Sequence, residues 1–95
     1  MKNDIVVIGS FVQDLIWETK SLPKPGQTVV GSLRAATPGG KGSNQAIAAK
    51  RAGASVCFIG AVRNDSYSIN ARSVFDIEGL NYHLTEKTEL PTGTA

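Results

Sequence analysis

Apolar residues come in short runs whose spacing changes from strand-like to helix-like along the chain. Residues 5–9, Ile-Val-Val-Ile-Gly, form a continuous β-branched run closed by glycine. This is the pattern of a strand buried on both faces, and it predicts a position at the centre of a parallel sheet. Residues 14–20 place Leu15, Trp17 and Thr19 on one face. The turn signal Pro23-Lys24-Pro25-Gly26 follows, and residues 27–33 resume strand character, so a hairpin is predicted. Its strands are more polar than the first, which predicts a separate sheet with one exposed face. Residues 37–42, Thr-Pro-Gly-Gly-Lys-Gly, read as a breaker cluster leading into an Ala-rich helix over 43–52, with Gly53 at C′. A second buried strand is predicted over 55–60. A second helix follows over 65–78, with Asp65 as N-cap, Gly79 as C′, and Tyr67, Ala71, Val74, Phe75 and Glu78 on its inner face. Leu80, Tyr82 and Leu84 alternate with Asn81 and His83 as a half-buried strand. Residues 90–95 read as an extended segment opening a strand with no partner in the sequence, as though the chain were cut there. The element order is α/β with right-handed crossovers expected.

The chain has 95 residues, 41% of them hydrophobic and 19% charged, which fits one compact unit or part of a larger one and argues against disorder. Ten Lys and Arg against eight Asp and Glu leave a net charge of +2 with no basic block. Neither a nucleic-acid partner nor a membrane is indicated. One cysteine, Cys57, and one histidine, His83, give neither a disulfide nor a zinc spacing. Cys57 reads as a core residue and His83 as an exposed strand residue, and a cytoplasmic location is expected.

Candidate chemistry concentrates at Gly39-Gly40-Lys41-Gly42-Ser43-Asn44. A Walker A loop would need glycine where Ala35 stands and Ser or Thr where Gly42 stands. A dinucleotide fingerprint starting at Gly40 would need glycine at Gln45. What remains is a glycine-rich entry to a helix, where backbone can approach a ligand closely and free N–H groups suit an anion or sugar hydroxyls. A plain tight turn explains the cluster about as well. Asp14 follows the first strand, where open α/β sheets bind ligands, and a carboxylate there can accept two polyol hydroxyls. A solvated loop aspartate is the commoner case for that residue type.

Residues 5–9 with Asp14, Pro25-Gly26-Gln27-Thr28, the run from Gly39 to Ala46, Gly53 and Ile59-Gly60 together resemble the N-terminal third of a ribokinase, a member of the pfkB-like carbohydrate-kinase family. The resemblance covers the whole chain. It implies a Rossmann-like α/β ribokinase fold with a small β-lid, present as an N-terminal fragment. The core would comprise 5–14 and 37–84, and the lid strands 15–36 and 85–95. It further implies an ATP- and Mg²⁺-dependent transfer of phosphate to a primary hydroxyl of a pentose or related sugar, and homodimers through the lid. Val12, Asp14, Gly40, Lys41, Gly42 and Asn44 would line the sugar site. The catalytic base and ATP pocket would lie outside this chain, which alone would then be inactive and bind no ATP or Mg²⁺. A non-enzymatic binding or dimerisation module is the alternative. Ribose-specific members carry Asn where this chain has Val12, which implies a deoxy-pentose or other modified sugar. The family usually has glycine at Arg63 and Ser68, so a departure in that loop is expected.

Overall fold

The computed structural model describes residues 3–86 and 89–95. Residues 1–2, and residues 87–88 of the segment assigned to the lid, lie outside the described residues.

Two three-stranded sheets share one chain. The first is wholly parallel, in the order β1 (Ile5–Ile8), β4 (Val56–Ala61), β5 (Asn81–Thr85). The second holds β2 (Val12–Glu18) between antiparallel β3 (Ser32–Gly39) and parallel β6 (Gly93–Thr94). Helix α1 (Lys41–Arg51) joins β3 to β4, and α2 (Ser66–Ile77) joins β4 to β5.

The hydrophobic core is built from Phe11, Ala46, Val56, Phe58, Val62, Ala71, Phe75 and Leu80. Ala46 lets α1 lie close against the sheet. Phe75 is the hub, with ring centroids 5.1 Å from Phe58, 5.4 Å from Tyr82 and 6.2 Å from Phe11 in edge contact. Such pairs add about 0.5–1.5 kcal/mol each beyond the apolar area they bury. Cys57 lies in this layer, and His83 is exposed between half-buried Tyr82 and Leu84, as the alternation predicts.

Both helices end as the sequence indicates, with Gly53 at φ 100° and Gly79 at φ 67° just past their C-caps. Helix α2 opens on a reciprocal cap. The Asp65 carboxylate accepts from the Ser68 N–H at 3.0 Å, and the Ser68 hydroxyl reaches back to the Asp65 N–H at 3.3 Å. Ser68 therefore serves as the third residue of the helix, and no described non-glycine residue, Arg63 included, has positive φ. Neither of these two replacements of glycine therefore places a side chain on a left-handed backbone.

Three expectations are corrected. Among the described residues the β-branched strand Ile5–Ile8 is an outer strand of the parallel sheet, with Val6 55% and Ile8 81% exposed, because β4 lies between β1 and β5. The second hairpin strand is Ser32–Gly39 and not 27–33, so Thr37-Pro38-Gly39 belongs to a strand and the helix begins at Lys41. Pro38 is tolerated because β3 is an edge strand and needs no N–H on its outer side. The C-terminal segment does find a partner, since Gly93 and Thr94 pair with Val12 and Gln13.

That pairing is secured from the core. Thr92, 4% exposed, donates its N–H to Asp65 Oδ2 at 3.0 Å and its hydroxyl to Asp65 Oδ1 at 2.8 Å. Burial pulls the Asp65 carboxyl upward, but the hydrogen bonds from Thr92, Ser68 and Tyr67 outweigh it and hold the group below the ordinary carboxylate range. A carboxyl whose folded pKa is depressed contributes stability above its unfolded value, and loses that contribution as pH falls through the folded one. Asp65→Asn should therefore speed amide hydrogen exchange at Gly93 and Ala95 at neutral pH while leaving β4 protected. Unmodified protein should show the same loosening only below the ordinary carboxylate range, and equal exchange in both proteins would contradict this assignment.

Candidate functional site

The polypeptide crosses from the parallel sheet to the second sheet in three residues, Gly9 to Phe11, and the start of α1 packs onto that crossing. The fit leaves no room for side chains. A Cβ on Gly42 would stand 2.9 Å from the Gly9 Cα, and one on Gly9 would stand 3.0 Å from the Gly42 Cα. Gly40, at φ 97°, turns the chain from β3 into α1, and a Cβ there would collide with the Ser10 carbonyl. The Ser43 N–H donates to that same carbonyl at 3.3 Å. The glycine-rich cluster is thus a three-way junction of backbone.

Beside the junction lies an open cleft of about 660 Å³, lined by Ile8, Gly9, Ser10, Val12, Asp14, Gly40, Lys41, Gly42, Asn44, Gln45 and Ala95. All six residues singled out from the sequence, Val12, Asp14, Gly40, Lys41, Gly42 and Asn44, line this one cleft. Asp14 and Val12 reach it as alternate residues of β2, whose intervening Gln13 turns to the opposite side and is fully buried. Asp14 was expected to lie at the end of the first strand and instead stands on β2, paired in register with Thr37. Its carboxylate fills the space over Gly39, where a Cβ would overlap the Asp14 side chain.

The cleft is chemically two-sided. Ile8, Val12 and Ala95 offer apolar surface, whereas Asp14, Lys41 and Asn44 offer an acceptor, a cation and an amide. Among the described residues none of these three polar side chains has a hydrogen-bonding or ion-pair partner in the protein. Helix α1 has no side-chain N-cap and no acidic residue in its first turn, so its N-terminal dipole end faces the cleft uncompensated. Such a wall can take several hydroxyl groups of a polyol, or an oxyanion, at once.

Ile8, Gly9, Ser10, Gln45 and Ala95 also line the cleft and were not singled out as ligand contacts. Gln45 could have been found, one residue beyond Asn44 in the first turn of the predicted helix. Ala95 could not, because its place depends on the long-range pairing of β6 with β2. Among the described residues there is no group of three or more His, Cys, Asp or Glu side chains placed to hold a metal ion.

The chain matches the pfkB family carbohydrate kinase over residues 2–95. It is 41% identical over 96 residues to a ribokinase of Bacillus subtilis, covering all of this chain and 32% of that protein. It is 37% identical over 84 residues to a deoxyribokinase of Salmonella typhimurium, covering 88% of this chain and 28% of that protein. A solved ribokinase from Giardia lamblia superposes with a TM-score of 0.86 at 37% identity, over 99% of this chain and 29% of that one. A ribokinase from Arabidopsis thaliana, solved with ribose and ATP, gives 0.74 at 27% identity, over 99% of this chain and 31% of that one. The chain thus spans about a third of the length of the relatives it matches.

The junction makes a sharp contrast between glycines. Gly40→Ala combines a left-handed backbone with a collision against Ser10 and should cost more than about 2 kcal/mol. Gly26→Ala, at φ 75° with nothing nearby, should cost only the conformational penalty of about 1 kcal/mol. Urea denaturation of the two variants checks this, and equal losses would contradict the packing described.

Proposed function

This chain belongs to the pfkB family of carbohydrate kinases, and we propose that its cleft is the sugar-binding part of an ATP-dependent kinase acting on a primary hydroxyl of a pentose or related sugar. The observation that carries the reading is the convergence of Asp14, Lys41 and Asn44, all without protein partners, on one cleft at the start of α1.

Asp14 would accept two sugar hydroxyls, Asn44 would hydrogen-bond another, and Lys41 would hold an oxygen at the helix dipole end. Gly40 and Gly42 would let the sugar lie against backbone. These groups orient the substrate so that one hydroxyl is presented for transfer. In phosphoryl transfer such positioning supplies a large share of the rate. ATP would be the phosphoryl donor, in keeping with the Arabidopsis relative solved in complex with ribose and ATP. No step is assigned to Mg²⁺ on this chain. We further propose, from the family resemblance, that the catalytic base and nucleotide pocket lie outside these 95 residues, so that the chain by itself binds sugar without turnover. The cytoplasm is proposed as its compartment.

Val12 points to the sugar. An apolar side chain facing a ring hydroxyl would leave that hydroxyl unpaired, at a cost of about 1–3 kcal/mol. A 2-deoxypentose or another sugar lacking a hydroxyl at that point therefore fits the two-sided cleft better than ribose does. A role in pairing subunits is also favoured by one observation. Ile16, Trp17 and Leu33 on the second sheet are 48%, 59% and 52% exposed, and a homodimer through this lid would cover them.

Titration calorimetry of the chain with 2-deoxy-D-ribose and D-ribose tests the reading. We expect tighter binding of the deoxy sugar. Asp14→Ala and Asn44→Ala should each weaken it by about 1–3 kcal/mol, and Val12→Asn should shift preference towards ribose. Unchanged affinity in the Asp14 and Asn44 variants would sink the assignment of the site, and an unchanged ratio with Val12→Asn would sink the role given to Val12.

A further inference from the structure

On the side of β2 away from the cleft, Gln13 is 0% exposed, and its amide nitrogen has no hydrogen-bond partner. A buried amide donor without an acceptor is unfavourable in a folded protein, so its presence needs a reason. The Gln13 Oε1 accepts from Asn70 Nδ2 of helix α2 at 3.2 Å. Gln13 and Asn70, with Pro38, Ala36, Ser73 and Val74, line a crevice of about 230 Å³ where the second sheet meets α2. The same residue is bound into its sheet through the backbone, since the Gln13 carbonyl accepts from the Ala95 N–H at 3.0 Å. Its register partners are Pro38 in β3 and Thr94 in β6.

The two neighbours of Gln13 in sequence are Val12 and Asp14, which line the cleft on the other side of the strand. Any shift of β2 about the Gly9 to Phe11 crossing moves both of them relative to Lys41 and Asn44. The glycine junction holds one end of this strand by backbone contact. The Gln13 to Asn70 bond supplies a side-chain hydrogen bond from the middle of the second sheet to α2.

We infer that Gln13 and Asn70 form a latch that sets the position of the second sheet on the α/β core, and through it the distance of Asp14 from the start of α1. Gln13 is thus a positioning residue for the sugar. The free Nε2 leaves the latch reversible in sense. Rotation of the amide presents a donor to Asn70 in place of the acceptor, so an acceptor at position 70 would be held equally well.

The part of this inference that concerns sugar rests on the function proposed above, and the experiment separates the two. Residual dipolar couplings of backbone amides in the ligand-free chain report the orientation of β2 and β3 relative to β4 and α2. Gln13→Leu, which fills the same space without the hydrogen bond, should change that orientation, as should Asn70→Ala. Asn70→Asp should keep it. Calorimetry with 2-deoxy-D-ribose should then show about a five- to tenfold loss of affinity for Gln13→Leu and for Asn70→Ala, no further loss in the double variant, and recovery in Asn70→Asp. Unchanged couplings in both variants would overturn the latch whatever the sugar does. Changed couplings with unchanged sugar affinity would overturn its positioning role, and additive losses would show that the two residues act separately. If the unmodified chain binds no sugar, the function proposed for the cleft fails, while the couplings alone still decide the latch. Should Gln13→Leu fail to fold, Asn70→Ala and Asn70→Asp, at an exposed helix position, carry the same comparison.

Discussion

The contact between the backbones of Gly9 and Gly42 is the constraint on which the rest of this molecule depends. Only there do the end of β1, the start of β2 and the start of α1 come together, and each of the three supplies part of the cleft. Close approach of main chain to main chain excludes side chains from the junction and leaves the polar groups at its rim, on Asp14, Lys41 and Asn44, facing outward into the cleft. The uncapped helix end follows from the same geometry, because Gly40 occupies the N-cap position where Ser, Thr, Asp or Asn would otherwise satisfy the first amides.

From this junction the two sheets take different roles. The parallel sheet is anchored by the Phe58, Phe75, Tyr82 and Phe11 cluster, and carries α1 and α2 in fixed relation to each other. An ion pair reinforces that relation, since Arg51 at the end of α1 donates from Nε to both carboxylate oxygens of Glu78 at the end of α2, at 3.0 and 3.2 Å. The second sheet rests on the core through a few specific polar contacts, chiefly Thr92 on Asp65 and Gln13 on Asn70. A cleft formed between a firmly packed layer and a lightly attached one is suited to admitting a polar ligand and then ordering around it.

Local chemistry was readable in the sequence, and placement in space was not. Asp65, Gly53 and Gly79 mark helix ends through interactions within a few residues, and the alternation at Leu80, Tyr82 and Leu84 reports one buried face. Each of these agrees with the structure. The run at 5–9 reads as apolar, but periodicity cannot say which strands flank it, and it lies at the sheet edge. Pro38 and Gly39 suggest a break only when strand edges are unknown. At an edge facing Gln13 and Val12, one needs no outer donor and the other makes room for a carboxylate. The family resemblance groups Val12, Asp14, Gly40, Lys41, Gly42 and Asn44, and they line one cleft. Ile8, Ser10 and Ala95 carry no such local mark, and Gln13 showed nothing of its burial because its partner stands on a distant helix.

The central claim is that the glycine junction builds a sugar site from Asp14, Lys41 and Asn44. Amide chemical-shift mapping of the chain on addition of 2-deoxy-D-ribose tests it most directly. Saturable shifts are expected at Gly9, Ser10, Val12, Asp14, Gly40, Lys41, Gly42 and Asn44 and their immediate neighbours, with β4, β5 and α2 unmoved. Shifts centred elsewhere, or none at saturating sugar, would contradict it.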